Sequence, residues 1–86
     1  MEELNPQKIF WHSRRGMLEL DLLLVPFSQN VFTSLSLEMQ LLYRDLLAEE
    51  DQDLWDWLVL GRVPPDLRFE KIIKRILAEN SIEIGK

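Results

Sequence analysis

Apolar residues recur every three or four positions along most of the chain, which is the spacing of amphipathic helices. The clearest stripe consists of Met39, Leu42, Tyr43, Leu46 and Leu47. It predicts a helix over about residues 37–48. The same spacing predicts earlier helices over about residues 6–14 and 17–31, and two later helices separated by the rigid Val63-Pro64-Pro65 connector.

Residues that cap helices predict where the helices begin and end. The predicted N-caps are Asn5 ahead of Pro6 in the first helix, Ser34 or Ser36 in the third, Asp51 or Asp53 in the fourth and Asp66 in the fifth. Left-handed glycines are expected to end the first and fourth helices, at Gly16 and Gly61. Asn80 or Gly85 is expected to end the fifth. The inward face of the fifth helix is predicted from Leu67, Phe69, Ile72, Ile73, Ile76 and Leu77.

The segment after Gly16 carries two patterns. Residues 18–22 alternate apolar and polar side chains, as a half-buried strand does. Two stripes with helical spacing also run through it: Leu18, Leu22 and Val25 on one side, and Met17, Leu20 and Leu24 on the other. Because no other segment has a strand pattern, a strand here would lack a partner for its backbone hydrogen bonds. We therefore predict a helix that Gly16 N-caps, that Glu19 supports by reaching back to a free N–H, and that Pro26 kinks or ends early.

Together these helices predict an all-α fold, a compact bundle of five short helices in a single domain over residues 1–86. A chain of this length buries roughly 60% of its unfolded surface, so a deep catalytic cleft is hard to build inside it. Trp55 and Trp57 point about 200° apart on the fourth helix. At least one is predicted to lie in the core, and the other is either an exposed interface anchor or buried by a sandwiched helix.

Charge and composition narrow the classes of function. The net charge is −5, whereas domains that bind nucleic acids are usually basic. The absence of cysteine excludes disulfides, thiolate catalysis and cysteine-bound metals. The acidic N-terminus lacks the pattern of a secretory or mitochondrial targeting segment, and no apolar run is long enough to cross a bilayer. We therefore expect a cytoplasmic protein that neither binds nucleic acid nor inserts into a membrane.

No set of residues predicts a catalytic, cofactor-binding or metal site. His12 is the single histidine, and on the shoulder of a helix it is interpreted as a surface or packing residue. Asp51 and Asp53 have the spacing that opens a calcium loop. However, Asp56 and Arg62 occupy the positions where such a loop needs glycine and glutamate. The two aspartates are therefore interpreted as helix caps, and no glycine-rich phosphate loop is present.

The most unusual segment is Arg14-Arg15-Gly16-Met17-Leu18-Glu19-Leu20-Asp21, the charged corner, which borders an apolar run. In a structural interpretation, Arg15 pairs with Glu19 and Gly16 serves the turn. In a functional interpretation, the corner is a docking face. A glycine lets another backbone approach closely, and an arginine holds carboxylates or carbonyls with directed bonds. Residue patterns alone leave both interpretations open.

The charged corner resembles the Arg-Gly-x-x-Glu signature of the SdhE family, which are FAD assembly factors, or flavinators, of succinate dehydrogenase. The resemblance covers nearly the whole chain. Its further elements are Trp11 before the signature, Pro26-Phe27 after it, Ser34-Leu35-Ser36 at the next helix start, Asp53-Leu54-Trp55-x-Trp57-Leu58 and a proline-led last helix. Two small departures from the family pattern, Trp55 and Leu37, lie outside the corner.

The resemblance implies a chaperone-like protein that binds the flavoprotein subunit of succinate dehydrogenase, or in some bacteria of fumarate reductase, and promotes covalent attachment of FAD to it. The partner-binding residues carried over onto this chain are Arg14, Arg15, Gly16, Met17, Glu19 and Asp21. Glu19 either orients Arg15 or accepts a bond from the partner. We expect a monomer when free, with no tightly bound FAD and no enzymatic activity. Because bacterial members were once described as antitoxins, an antitoxin-like or regulatory protein-binding module is the alternative.

Overall fold

The computed structural model describes residues 4–84, with side chains up to residue 80. Five α-helices follow one another in this range: α1 Pro6–Ser13, α2 Leu18–Asn30, α3 Leu37–Leu47, α4 Asp51–Leu58 and α5 Phe69–Ile84. A 3-10 turn, Phe32–Ser34, links α2 to α3. The described range contains no strand, so the prediction of an all-α bundle of five helices is confirmed. Asn80 lies inside α5, and Gly85 lies outside the described residues.

Side-chain caps fix the starts of α1 and α3. The Oδ1 atom of Asn5 accepts hydrogen bonds from the backbone N–H groups of Gln7 at 2.9 Å and Lys8 at 3.4 Å. At α3, Ser36 Oγ accepts a hydrogen bond from the N–H of Met39 at 3.3 Å. Each bond satisfies an N–H that the first helical turn leaves unpaired. Of the two serines predicted as the cap of α3, Ser36 is therefore the one that acts.

The predicted caps of α2 and α4 are wrong. Met17, rather than Gly16, is the N-cap residue of α2, and it makes no side-chain cap bond. Glu50 precedes α4, also without a side-chain cap bond, and Asp51 is the first residue of the helix. The Asp51 carboxylate instead accepts a hydrogen bond from Arg15, a residue from another part of the chain.

The start of α5 also differs from the prediction. Asp66 Oδ1 accepts a hydrogen bond from the N–H of Arg68 at 3.0 Å, but this bond closes a turn ahead of the helix, which begins at Phe69. Leu67 lies on that turn and is 65% exposed, so its predicted inward position is wrong. The inward face begins at Phe69 and continues through Ile72 as predicted.

Helix α2 continues to Asn30, four residues beyond Pro26, so the prediction that Pro26 ends the helix early is wrong. A proline has no N–H for the carbonyl four residues before it. Here that carbonyl belongs to Leu22, which is 59% exposed, and Pro26 is itself exposed. Water therefore has access to this part of the helix, which lowers the cost of the missing hydrogen bond.

The core is built by side chains from all five helices. Its fully buried members include Ile9 from α1, Leu20 and Leu24 from α2, Tyr43 and Leu46 from α3, Leu54 from α4, and Ile72 and Ile76 from α5. Helix α1 packs on α2, α3 contacts α1 and α5, and α4 contacts α2 and α5. Trp57 is 7% exposed and packs on Phe69, whereas Trp55 is only partly buried at the edge of the core. The prediction that at least one of these tryptophans lies in the core is confirmed.

The hydroxyl of Tyr43 is the polar centre of this core. It lies 2.7 Å from Ser13 Oγ on α1 and donates to the Leu24 carbonyl on α2 at 3.2 Å. Burial raises the pKa of the Tyr43 phenol well above its usual value, and the hydrogen bond with Ser13 only partly opposes this shift. The neutral phenol therefore connects α3 to the two helices that flank the charged corner.

Candidate functional site

The charged corner joins the end of α1 to the first turn of α2. Helix α1 ends at Ser13, and Gly16 then has φ +82°. This left-handed conformation costs other residues roughly 1–2 kcal/mol. A Cβ atom built on Gly16 meets nothing within 4 Å. Gly16 therefore allows the left-handed backbone conformation of the turn, and the space outside the turn is open. Its predicted left-handed conformation is confirmed, as is that of Gly61 at φ +77°.

The side chain of Arg15 points into the protein. Its Nη1 donates to the His12 carbonyl at 2.8 Å, its Nη2 to the Glu49 carbonyl at 2.7 Å, and its Nε to Asp51 Oδ1 at 2.9 Å. Only 14% of the side chain is exposed, against 48% for Asp51. One guanidinium thus connects the end of α1, the α3–α4 connector and the first turn of α4. The structural interpretation of the corner predicted that Arg15 pairs with Glu19. That pairing is wrong, because the acidic partner of Arg15 is Asp51.

The backbone of Arg15 is held from the opposite side by Asp21. The Arg15 N–H donates to Asp21 Oδ1 at 2.7 Å, and Asp21 is partly buried in the first turn of α2. A carboxylate near a helix N-terminus also interacts favourably with the helix dipole. Arg15 and Asp21 therefore fix the conformation of the turn that carries Gly16.

Other candidate residues of the corner face solvent. Gly16, Glu19 and Arg14 are exposed, whereas Met17 packs partly against the core. Neither a hydrogen bond nor an ion pair joins Glu19 to Arg15 within the described range. The Arg14 guanidinium lies 5.6 Å from the ring centre of Trp11, which is 61% exposed. A cation and an aromatic face are thus held together beside the exposed glycine.

Two exposed leucines extend this surface along α2. Leu18 is 70% exposed and Leu22 is 59% exposed, one helical turn apart on either side of Glu19 in sequence. Sequence reasoning placed them on one of two equivalent stripes, and only the other stripe, with Leu20 and Leu24, is buried. Because α2 is apolar nearly all round, its periodicity could not show which stripe faces the core.

Sequence reasoning also missed the contacts of Arg15 with the α3–α4 connector and with the first turn of α4. Asp51 lies 36 residues from Arg15 in sequence, so no local pattern could connect them.

An open groove between α1 and α3 borders the same arginine. Its lining includes Lys8, His12, Arg15, Arg44 and Asp45. His12 is exposed there, in agreement with its interpretation as a surface residue.

Two further features are absent from the described residues. No three histidine, aspartate or glutamate side chains in that range lie close enough together to hold a metal ion. No helix there combines the length and apolar character needed to span a bilayer. The charged corner itself combines exposed Arg14, Gly16 and Glu19 with the exposed apolar side chains of Trp11, Leu18 and Leu22.

Known proteins resemble this chain over most of its length. Residues 7–80 match the sequence model of the family described as "Flavinator of succinate dehydrogenase". The chain is 45% identical over 76 residues to the FAD assembly factor SdhE of Pseudomonas aeruginosa, covering 88% of this chain and 90% of the relative. It is 46% identical over 76 residues to the Coxiella burnetii protein of the same name, covering 87% and 92%. The Francisella tularensis protein of that name is 40% identical over 72 residues, covering 84% and 75%.

Proposed function

The chain belongs to the family of succinate dehydrogenase flavinators, and from this we propose that it is an FAD assembly factor. It binds the flavoprotein subunit of succinate dehydrogenase and promotes covalent attachment of FAD to that subunit. The observation that carries the proposal is the charged corner, where an exposed glycine backbone is held rigid by Arg15 and flanked by exposed Glu19.

In this proposal the residues of the corner divide into two roles. Gly16 lets the partner backbone approach, while Glu19 accepts a hydrogen bond from the partner and Arg14 contributes a further contact. Arg15 acts mainly by holding the turn. A guanidinium has five N–H donors, and three of those of Arg15 are used internally, so at most two remain for a partner. Met17 and Asp21 support the surface from its partly buried side.

The mechanism follows from binding alone. In this proposal the protein acts by binding, and the chemistry of the covalent bond belongs to the flavin and its host subunit. A protein that binds one arrangement of the subunit more tightly than another shifts the subunit toward that arrangement. The corner would thus favour the arrangement in which the subunit attaches its own FAD. We further propose that the protein acts in the cytoplasm, as a monomer when free, without enzymatic activity and without binding FAD tightly.

Deletion of the gene tests the proposal. Covalently bound flavin in the membrane fraction is expected to fall in the deletion strain and to return when the wild-type gene is restored. Unchanged covalent flavin would contradict the proposal.

Capture from a native lysate tests the partner. Recovery of the flavoprotein subunit of succinate dehydrogenase is expected, and recovery of that of fumarate reductase would identify a second client. Recovery of an RNA or a toxin without any flavoprotein would support the antitoxin-like alternative instead.

A further inference from the structure

Asp51 lies on α4, outside the charged corner, but its carboxylate is the anionic partner of Arg15, with 2.9 Å between Nε and Oδ1. We infer that Asp51 is a positioning residue of the docking site: through Arg15 it fixes the turn that presents Gly16 to the flavoprotein. This inference rests on the proposed function, because it concerns the same surface.

The bonds around Arg15 support this role. Asp21 holds its backbone N–H from α2 at 2.7 Å, and Asp51 holds its guanidinium from α4. Two carboxylates on different helices therefore fix both ends of the residue that immediately precedes Gly16. With its backbone and side chain both held, Arg15 has little freedom to rotate, so Gly16 keeps one conformation.

The two carbonyl partners of Arg15 cannot replace Asp51. The His12 and Glu49 carbonyls accept hydrogen bonds from the guanidinium but carry no net charge, so they cannot neutralise the buried cation as the Asp51 carboxylate does. The arginine side chain is only 14% exposed, so water compensates little for a lost carboxylate. Without the Asp51 carboxylate, the guanidinium can rotate out of this position into solvent. The turn then loses the contact that holds it to α4.

Loss of the Asp51 charge should change the conformation of the turn more than it lowers the free energy of unfolding of the whole bundle. Asp51 is 48% exposed, so its carboxylate is partly hydrated and the ion pair contributes less to stability than a fully buried pair would. It contributes no apolar side chain to the core. A change at Asp51 should therefore leave the bundle folded while altering the surface that the partner contacts.

Asp51→Asn tests the inference, because it removes the charge and keeps the shape. Asp53→Asn is the matched control: both aspartates lie in the first turn of α4, so both variants lose the same interaction with the helix dipole. Affinity for the purified flavoprotein subunit is measured by titration calorimetry, well below the unfolding temperature of each variant. We expect Asp51→Asn to bind about tenfold more weakly, a change of about 1.4 kcal/mol, and Asp53→Asn to bind within about twofold of the wild type.

Hydrogen exchange of the free protein supplies a readout that needs no partner. The Arg15 amide, which donates to Asp21 Oδ1 in the same turn, is expected to exchange faster in Asp51→Asn than in the wild type or in Asp53→Asn. Asp51→Glu keeps the charge and should retain most of the affinity. Equal losses for Asp51→Asn and Asp51→Glu would overturn the role assigned to the charge.

The outcomes of the binding and exchange experiments distinguish a failure of the Asp51 role from a failure of the docking function. If the wild type binds the subunit and Asp51→Asn binds equally well with unchanged exchange, the positioning role of Asp51 is wrong while the docking function stands. If the wild type does not bind the subunit, the proposed function fails. Faster exchange in Asp51→Asn would still support the restraint on the turn in that case, and unchanged exchange would reject it.

Discussion

At the scale of single residues, Gly16 and Glu19 differ from Arg15 in what surrounds them. Arg15 is engaged with three acceptors from its own chain, whereas Gly16 and Glu19 face solvent. In the proposed docking site, the held turn would present Gly16 and Glu19 to the partner. Such an arrangement would lower the ordering cost of binding, because the turn would not have to become fixed when the partner arrives.

Replacement of Glu19 by alanine tests its contact with the partner. We expect affinity for the flavoprotein subunit to fall at least about tenfold, because a hydrogen bond to a charged group contributes roughly 1.5–3 kcal/mol. Helix content in circular dichroism should stay unchanged, since Glu19 is exposed.

Glu38→Ala is the control for this prediction. Glu38 is another exposed acid in the first turn of a helix, α3, so its removal has a similar effect on a helix dipole. We expect Glu38→Ala to bind as the wild type does. Equal affinities of Glu19→Ala and wild type would rule out a direct contact at Glu19.

At the scale of elements, α2 carries the second half of the charged corner, and α3 fixes α2 against α1 through Tyr43. The Tyr43 hydroxyl contacts Ser13 of α1 and the Leu24 carbonyl of α2. These two helices meet at the corner, so the Tyr43 contacts help to hold together the two helices that the corner joins. The raised pKa of the phenol makes this contact testable by pH.

Stability should fall at alkaline pH because of Tyr43. In the unfolded chain a tyrosine ionises with a pKa of about 10, while the buried phenol keeps its proton because its pKa is raised. Above that pH the unfolded state binds fewer protons than the native state. The free energy of unfolding therefore falls as pH rises, by up to about 1.4 kcal/mol per pH unit.

Tyr43→Phe is the comparison that isolates this effect. It removes the ionisable group, so its stability should fall less steeply above pH 10, although it should lose about 1 kcal/mol at neutral pH with the hydrogen bonds. Tyr43 is the single tyrosine, so absorbance at 295 nm reports its ionisation directly. Absorbance that rises near pH 10 while the protein is still folded would show that the phenol is not buried as described.

Most helices could be predicted because local patterns encode them. The stripe from Met39 to Leu47 and the caps at Asn5 and Ser36 act within one or two helical turns, and the structure contains both. The starts of α4 and α5 were less predictable. Several acids precede each of these helices, and the local pattern did not show that Asp51 lies inside α4, bound to Arg15, or that Asp66 closes a turn ahead of α5.

At the scale of the whole molecule, the chain is a small bundle whose Cα radius of gyration is 11.9 Å, close to the value of about 12 Å expected for a compact chain of this length. Such a protein acts on a partner only through its surface. To raise a competent arrangement from about 1% to about 99%, it must bind that arrangement roughly 10⁴-fold more tightly. One hydrogen bond cannot supply this difference, so the exposed Trp11, Leu18 and Leu22 beside the corner are expected to contribute.

The candidate site could be predicted from sequence only in part. The Arg-Gly-x-x-Glu signature marked the corner, but it did not show that Arg15 turns inward while Glu19 turns outward. That difference depends on the α3–α4 connector, whose carbonyl at Glu49 lies 34 residues from Arg15 in sequence. Contacts over such separations arise from the packing of the whole bundle, which a linear pattern does not describe.

The most direct test is the rate of covalent flavin formation with purified apo flavoprotein subunit, FAD and this protein, using Gly16→Arg and Gly61→Arg. Both glycines have positive φ and open space around them, so both variants carry a similar backbone strain, and only Gly16 lies in the charged corner. We predict that Gly16→Arg lowers the rate at least about tenfold while Gly61→Arg stays close to the wild type. A wild-type rate with Gly16→Arg, or equal losses with both variants, would contradict docking through the corner.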